Sequence, residues 1–270
     1  MNLHTRSPRV LSPQNIVTLG NLACGVAAIL FCVTALVENE PAKLYYAALL
    51  LVLAEFLDGV DGKIARWTGS ASSLGAQLDS LADAVTFGVS PGVLTFSMIA
   101  MFAEQYGMSL HPRFLMMAPI VFTACAVLRL ARFNSDYETE DLKKGHMFFV
   151  GLPSPGAAGL PISMSLLYFG IVDVKFFNVS IEIAESVRYW LLYFMPVGLL
   201  LMGLLMVSRI PYPHFFAWMT RSKNHVATLA KFIFFLGIMF LEPEVCLFVF
   251  SFCYTIIPLF TQFLPSRRSL

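Results

Sequence analysis

The chain has 270 residues, 57% of them hydrophobic and only 13% charged, with a formal net charge of +1. Soluble domains carry about 25% charged residues, so an ordinary soluble domain is excluded. A nearly neutral chain also lacks the basic field that nucleic acid requires, and no nucleic-acid partner is expected.

The apolar residues gather in runs of about 17–25, the length of helix that crosses a hydrocarbon core of about 30 Å. Runs this long and uniform do not suit barrel strands, and helices satisfy their own backbone groups in lipid. The sequence therefore predicts an all-α, polytopic transmembrane bundle forming a single integral membrane domain over residues 1–270. In chain order the predicted spans are 15–37, 42–66, 73–103, 113–134, 156–172, 188–208, 227–241 and 244–264, about eight in all. The third contains Pro91 and is expected to kink or project there. Glu242-Pro243-Glu244 is expected to form a tight turn before the last span. Of the 18 Lys and Arg residues, only Lys43, Arg113, Lys175 and Arg188 fall on one side of such a bundle. The positive-inside bias then puts the opposite side, with both termini, in the cytoplasm. The five cysteines, Cys24, Cys32, Cys125, Cys246 and Cys253, lie in apolar runs without a C-x-x-C pair and are expected to be buried small hydrophobes.

Against this apolar background stands DGVDGKIARWTGSASSLGAQLDSLAD, residues 58–83. It opens at the end of the second span and closes at the start of the third, so its four aspartates lie near the cytoplasmic face. Asp58, Asp61, Gly62 and Ala65 are related by steps of three and four and share one helix face. Gly75, Asp79 and Asp83 form a second stripe. Two helices joined by a short turn can bring both stripes to one cavity, with Gly62, Ala65 and Gly75 leaving room for a bulky ligand. An ionised Asp within a span costs roughly 2.5–3.5 kcal/mol, so four cost on the order of 10–14 kcal/mol uncompensated. Two divalent cations would neutralise them. Carboxylates without nearby His or Cys suit Mg²⁺ or Mn²⁺, and also Ca²⁺, rather than Zn²⁺. A paired hard-metal site of this kind serves displacement at phosphorus. A cation or proton transporter would also use intramembrane aspartates. It would need acidic residues through to the far leaflet, whereas here only Glu55 lies deeper than the cluster.

The stretch resembles the signature of the CDP-alcohol phosphotransferase family: D-x-x-D-G-x-x-A-R, eight residues, then G-x-x-x-D-x-x-x-D. All fixed positions are filled by Asp58, Asp61, Gly62, Ala65, Arg66, Gly75, Asp79 and Asp83. The resemblance implies transfer of a phosphatidyl-type group from a CDP-linked donor to an alcohol, with release of CMP. It implies metal ligation by Asp58, Asp61 and Asp79, with Asp83 able to share a metal and to act as general base. Gly62, Ala65 and Gly75 would line the cytidine pocket, with Arg66 near the diphosphate. A homodimer is expected on the same ground.

PQNIVTLGNLACG (residues 13–25), ADAVTFGVSPG (82–92), RLARFN (129–134) and FVGLPSPGAAG (149–159) extend the match. Together they resemble the membrane-integrated phosphatidylserine synthases, a branch of that family, over a core of residues 13–160, with 161–270 as additional membrane helices. That branch implies CDP-diacylglycerol and L-serine as substrates, in the cell (inner) membrane, with the active site facing the cytoplasm. Serine carries a carboxylate that a guanidinium holds with two parallel bonds. Arg129 and Arg132, with Asn134, stand at the cytoplasmic end of the fourth span and are the candidate serine-binding residues.

Overall fold

The computed structural model describes residues 12–68, 73–108, 111–138, 148–171, 180–213 and 242–263. It is a helical bundle. Among the described residues, four helices are long and apolar enough to cross a membrane, at Pro13–Glu38, Leu74–Phe102, Pro112–Ser135 and Ile181–Val207. The predicted span at 227–241 lies outside the described residues. Each of the other seven predicted spans coincides with a helix.

Helix α1 (Pro13–Glu38) begins where the Ser12 hydroxyl accepts a hydrogen bond from the Asn15 N–H at 3.2 Å, with Pro13 in the first turn. It ends at Asn39, whose left-handed φ of 54° closes the helix. Its buried positions are Gln14, Asn15, Thr18, Asn21, Gly25, Ala28, Cys32 and Ala35. They form one stripe, polar for its first half and small and apolar for its second. Helix α2 (Ala42–Thr68) packs along α1 and is itself buried through Leu44, Ala47, Ala48, Leu51 and Ala54. Small side chains of this kind let helix backbones approach closely in a membrane.

The third span is continuous but not uniform. Helix α3 (Ser73–Asp83) passes into a π-helical turn (Ala84–Val89) and then α4 (Ser90–Phe102). The expected irregularity at Pro91 therefore falls one turn earlier. Proline has no N–H, and its ring clashes with the carbonyl four residues back, that of Phe87. The wider turn relieves this, and the Ser90 N–H donates to Val85 O, a five-residue step. The π turn is fastened to α1 at close range. Thr86 Oγ1 donates to Asn21 O at 3.3 Å, and Ser90 Oγ donates to Gly25 O at 3.1 Å. A Cβ on Gly25 would stand 2.5 Å from Thr86 Oγ1 and 2.8 Å from Thr86 Cα, so only glycine fits.

Helix α5 (Pro112–Glu138) packs on the π turn, on α4 and on α7 (Ile181–Val207). Helix α6 (Ser154–Gly170) fills the centre with twelve buried residues, and α8 (Pro243–Phe263) packs against it. Tyr45 near the start of α2 donates to Glu244 near the start of α8 at 3.3 Å. Those ends lie together, away from the aspartates. Pro243 is the first residue of α8, so the Glu242-Pro243-Glu244 segment opens a helix, as proline at such a position favours.

Three sequence expectations change. Helix α7 starts at Ile181 rather than near 188, because Ser180 caps it by accepting from the Ile183 N–H at 3.4 Å and Glu182 suits the positive helix start. The bundle also carries a small antiparallel ribbon, β1 (Phe148–Val150) with β2 (Pro211–Pro213), which the all-α reading did not include. Finally, Cys32, Cys125 and Cys246 are buried as expected, but Cys24 is half-buried and Cys253 is exposed.

Replacing Gly25 with Ala should cost about 1–3 kcal/mol by overpacking against Thr86, read as a fall in thermal midpoint in detergent. Gly20→Ala is the control, since its Cβ would meet only Leu57 at an ordinary 3.6 Å. Equal midpoints for the two variants would contradict the close packing.

Candidate active site

The aspartates converge as the spacing predicts. Asp58, Asp61 and Asp79 each present a carboxylate oxygen, and the three atoms lie within 4.8 Å of one another. Asp83 is not part of that triplet, but it stands within hydrogen-bonding reach of Asp58. Asp61 is 4% exposed and Asp83 8%. Asp79 Oδ1 is buried and, among the described residues, has no hydrogen-bond partner. A buried carboxylate oxygen without a donor is costly unless a cation completes it. The donor set is oxygen only. Both observations fit a hard divalent cation at Asp58, Asp61 and Asp79.

Sequence reading paired α2 with α3 and left α1 out. The structure puts α1 against both. Thr18 Oγ1 donates to Asp61 Oδ2 at 2.9 Å, and Asn21 Nδ2 donates to Asp83 Oδ1 at 3.4 Å. These neutral donors fix the carboxylate orientations without cancelling the charge that a metal needs. Thr18 also donates to Gln14 O at 3.1 Å, which holds its rotamer. Gln14, Asn15, Thr18 and Asn21 recur at helical spacing in an otherwise apolar run, and that polar stripe was the legible signal.

Gly62 lies beside the cluster, and among the described residues a Cβ added there would meet nothing within 4 Å. Its helix face is therefore open to a ligand. Gly75 is buried near the start of α3. The Ala65 and Arg66 side chains lie outside the described residues.

The three candidates on α5 are placed differently from one another. Arg129 is 9% exposed, and Asp83 and Asp58 are both close enough to feel its charge. Its Nη1 donates to Ser154 Oγ at 2.7 Å. Arg132 donates to two backbone carbonyls, Val150 O at 2.7 Å and Val207 O at 3.3 Å. Asn134 Oδ1 accepts from Ser80 Oγ at 3.0 Å, which ties α5 to the turn of α3 between Asp79 and Asp83. Arg129 alone faces the carboxylates.

A helical membrane bundle with a buried carboxylate cluster at one end, a glycine opening beside it and one guanidinium across from it defines a site for metal-assisted phosphoryl chemistry. The sequence matches the CDP-alcohol phosphatidyltransferase family over residues 12–201. The chain belongs to that family. A Helicobacter pylori (strain J99) protein named CDP-diacylglycerol–serine O-phosphatidyltransferase is 30% identical over 250 residues, which is 93% of this chain and 90% of its own length. Mycobacterium bovis and Bacillus subtilis (strain 168) proteins of the same name are 31% and 30% identical, over 88% and 78% of this chain and 73% and 92% of their own lengths.

Thr18→Val removes the donor to Asp61 while keeping the shape. Mn²⁺ affinity, measured by electron paramagnetic resonance of the detergent-solubilised protein, should fall by about tenfold, as for other outer-shell partners of metal ligands. Unchanged affinity would remove α1 from the metal site.

Proposed function

We propose that this chain is an integral membrane enzyme that transfers the phosphatidyl group of CDP-diacylglycerol to the hydroxyl of L-serine, giving phosphatidylserine and CMP. The observation that carries the reading is the Asp58–Asp61–Asp79 triplet with Asp83 beside it and Arg129 opposite. The names of the full-length relatives support serine as the acceptor.

Asp58, Asp61 and Asp79, with Asp83 alongside, would hold two divalent cations (Mg²⁺ or Mn²⁺, with Ca²⁺ also compatible), which supply charge neutralisation at the diphosphate. Asp83, oriented by Asn21, takes the proton from the serine hydroxyl. The serine oxygen attacks the lipid-side phosphorus as the bond to CMP breaks, in a direct displacement. Gly62, Ala65 and Gly75 give the cytidine room against the helix backbones, with Arg66 near the diphosphate. Arg129 receives the serine carboxylate: among the described residues its only hydrogen bond is to Ser154, so further N–H donors remain. Arg132 and Asn134 stand at the rim of the same entrance.

In the membrane, the reading keeps eight spans, with both termini and the active site on the cytoplasmic side of the cell (inner) membrane. The positive-inside bias supports this orientation. There a soluble amino acid meets a membrane-held nucleotide lipid. The catalytic core covers residues 13–160, with further membrane helices after it, and the working unit is a homodimer.

The test is CMP release from CDP-diacylglycerol by purified protein with Mn²⁺ or Mg²⁺ and a panel of alcohols. Release with serine alone is expected. Release with glycerol 3-phosphate, inositol phosphate or choline instead would replace the acceptor and keep the chemistry. Asp83→Asn should abolish turnover while CDP-diacylglycerol still binds with metal, and near-normal turnover would remove the base assignment.

A further inference from the structure

Arg129 and Arg132 are one helical turn apart on α5, and they grip opposite ends of one short segment. Arg132 Nη2 holds Val150 O at 2.7 Å, and Arg129 Nη1 holds Ser154 Oγ at 2.7 Å. Between these points the segment is laced to the end of α7. The Gly151 N–H donates to Ile210 O at 2.8 Å, and the Leu152 N–H donates to Leu205 O at 3.1 Å. Gly151 has a φ of +88°, where a side chain is strained, and a Cβ there would stand 2.4 Å from Met206 O and 3.0 Å from Ser208 O. Arg132 also caps α7, since its Nη1 donates to Val207 O at 3.3 Å. The last helical carbonyls lack intrahelical partners, and a cation there suits the negative helix end. Leu152 and Ser154 are fully buried. The segment from Val150 to Ser154 is therefore a braced strap, anchored at both ends and in the middle.

The strap has a consequence at the carboxylates. Arg129 is buried, with Asp58 and Asp83 attracting its guanidinium from one side. The attraction between unlike charges grows as water is excluded. A guanidinium held by nothing else would move onto the carboxylates and close the space in front of them. The Ser154 hydroxyl, a neutral acceptor on a braced element, holds it back from them.

We infer that the Val150–Ser154 strap positions Arg129 for the acceptor, and that Arg132, Gly151 and Ser154 are positioning residues that set selectivity for an acceptor bearing a carboxylate. None of the three contacts the reacting atoms. Arg132 acts through Val150 and the end of α7, Gly151 through its fit against Met206 O, and Ser154 through Arg129. The inference rests on the reading of Arg129 as the receptor of the serine carboxylate.

The test compares wild type with Ser154→Ala and Arg132→Ala. It measures KM for serine and kcat, and separately the binding of CDP-diacylglycerol in the presence of Mn²⁺ and the thermal midpoint. Both variants should raise KM for serine by about tenfold, the scale of a small misplacement of an orienting group. Donor binding should stay within about twofold of wild type and the midpoint within a few degrees. Arg132→Lys keeps the charge but cannot reach two carbonyls in a fixed fork, so its KM should lie between wild type and Arg132→Ala. An unchanged serine KM in both alanine variants overturns the inference. So does a parallel loss of donor binding, kcat and thermal midpoint, which marks general loosening rather than positioning. If wild-type protein makes no phosphatidylserine, the proposed function itself fails. If it does and the variants match it, only the strap's role fails.

Discussion

The structure is organised around a repulsion. Four carboxylates meet at one end of a largely apolar bundle, and each would prefer water to the others' company. Ionised carboxylates with oxygens within 4.8 Å of one another repel, and a cation of higher charge joining them would offset that repulsion. The surrounding elements keep the carboxylates close without neutralising them. Thr18 and Asn21 orient Asp61 and Asp83 through neutral donors. Arg129 supplies one positive charge, held at the far side by Ser154. A lysine or arginine paired directly with each aspartate would give a stable bundle end and no metal site.

That demand explains the packing near the site. The π turn follows Asp83 directly, and Thr86 and Ser90 fasten it to the backbone of α1. Gly25 lets the two helical segments touch at a distance that no side chain permits. The helix that supplies Asn21 to Asp83 is thus locked to the helix that carries Asp83. At and beyond the π turn the bundle is filled by Phe87, Leu94, Met98 and Phe122, all fully buried. Beside this rigid packing, Gly62 is loosely surrounded: among the described residues a Cβ there would meet nothing within 4 Å.

The carboxylate cluster was the most legible part of the sequence, because helical periodicity alone puts Asp58 with Asp61 and Asp79 with Asp83. Apolar runs likewise marked the helices, since length and hydropathy are strong signals in lipid. The contribution of α1 was harder to see. Thr18 and Asn21 carry no charge, and a polar stripe gains meaning only when its neighbour is known. The start of α7 was misplaced because Glu182 and Glu185 precede the apolar run, although Arg188 and Glu185 pair at 2.9 Å on one helix face. The ribbon of β1 and β2 joins two three-residue segments about sixty positions apart, the second of them flanked by prolines, and no local pattern reports such a contact. Arg129 and Arg132 look equivalent in RLARFN, yet one faces the carboxylates and the other a pair of backbone carbonyls. Their difference is set by the strap and α7, which lie far along the chain.

The central claim is that the cluster exists to hold metal for phosphoryl transfer. The most direct measurement is the number of Mn²⁺ ions bound per chain when purified protein is saturated with CDP-diacylglycerol, counted by electron paramagnetic resonance. The account predicts two ions, and a loss of ions when Asp79 is replaced by Asn. No bound Mn²⁺, or binding indifferent to Asp58, Asp61 and Asp79, would contradict it.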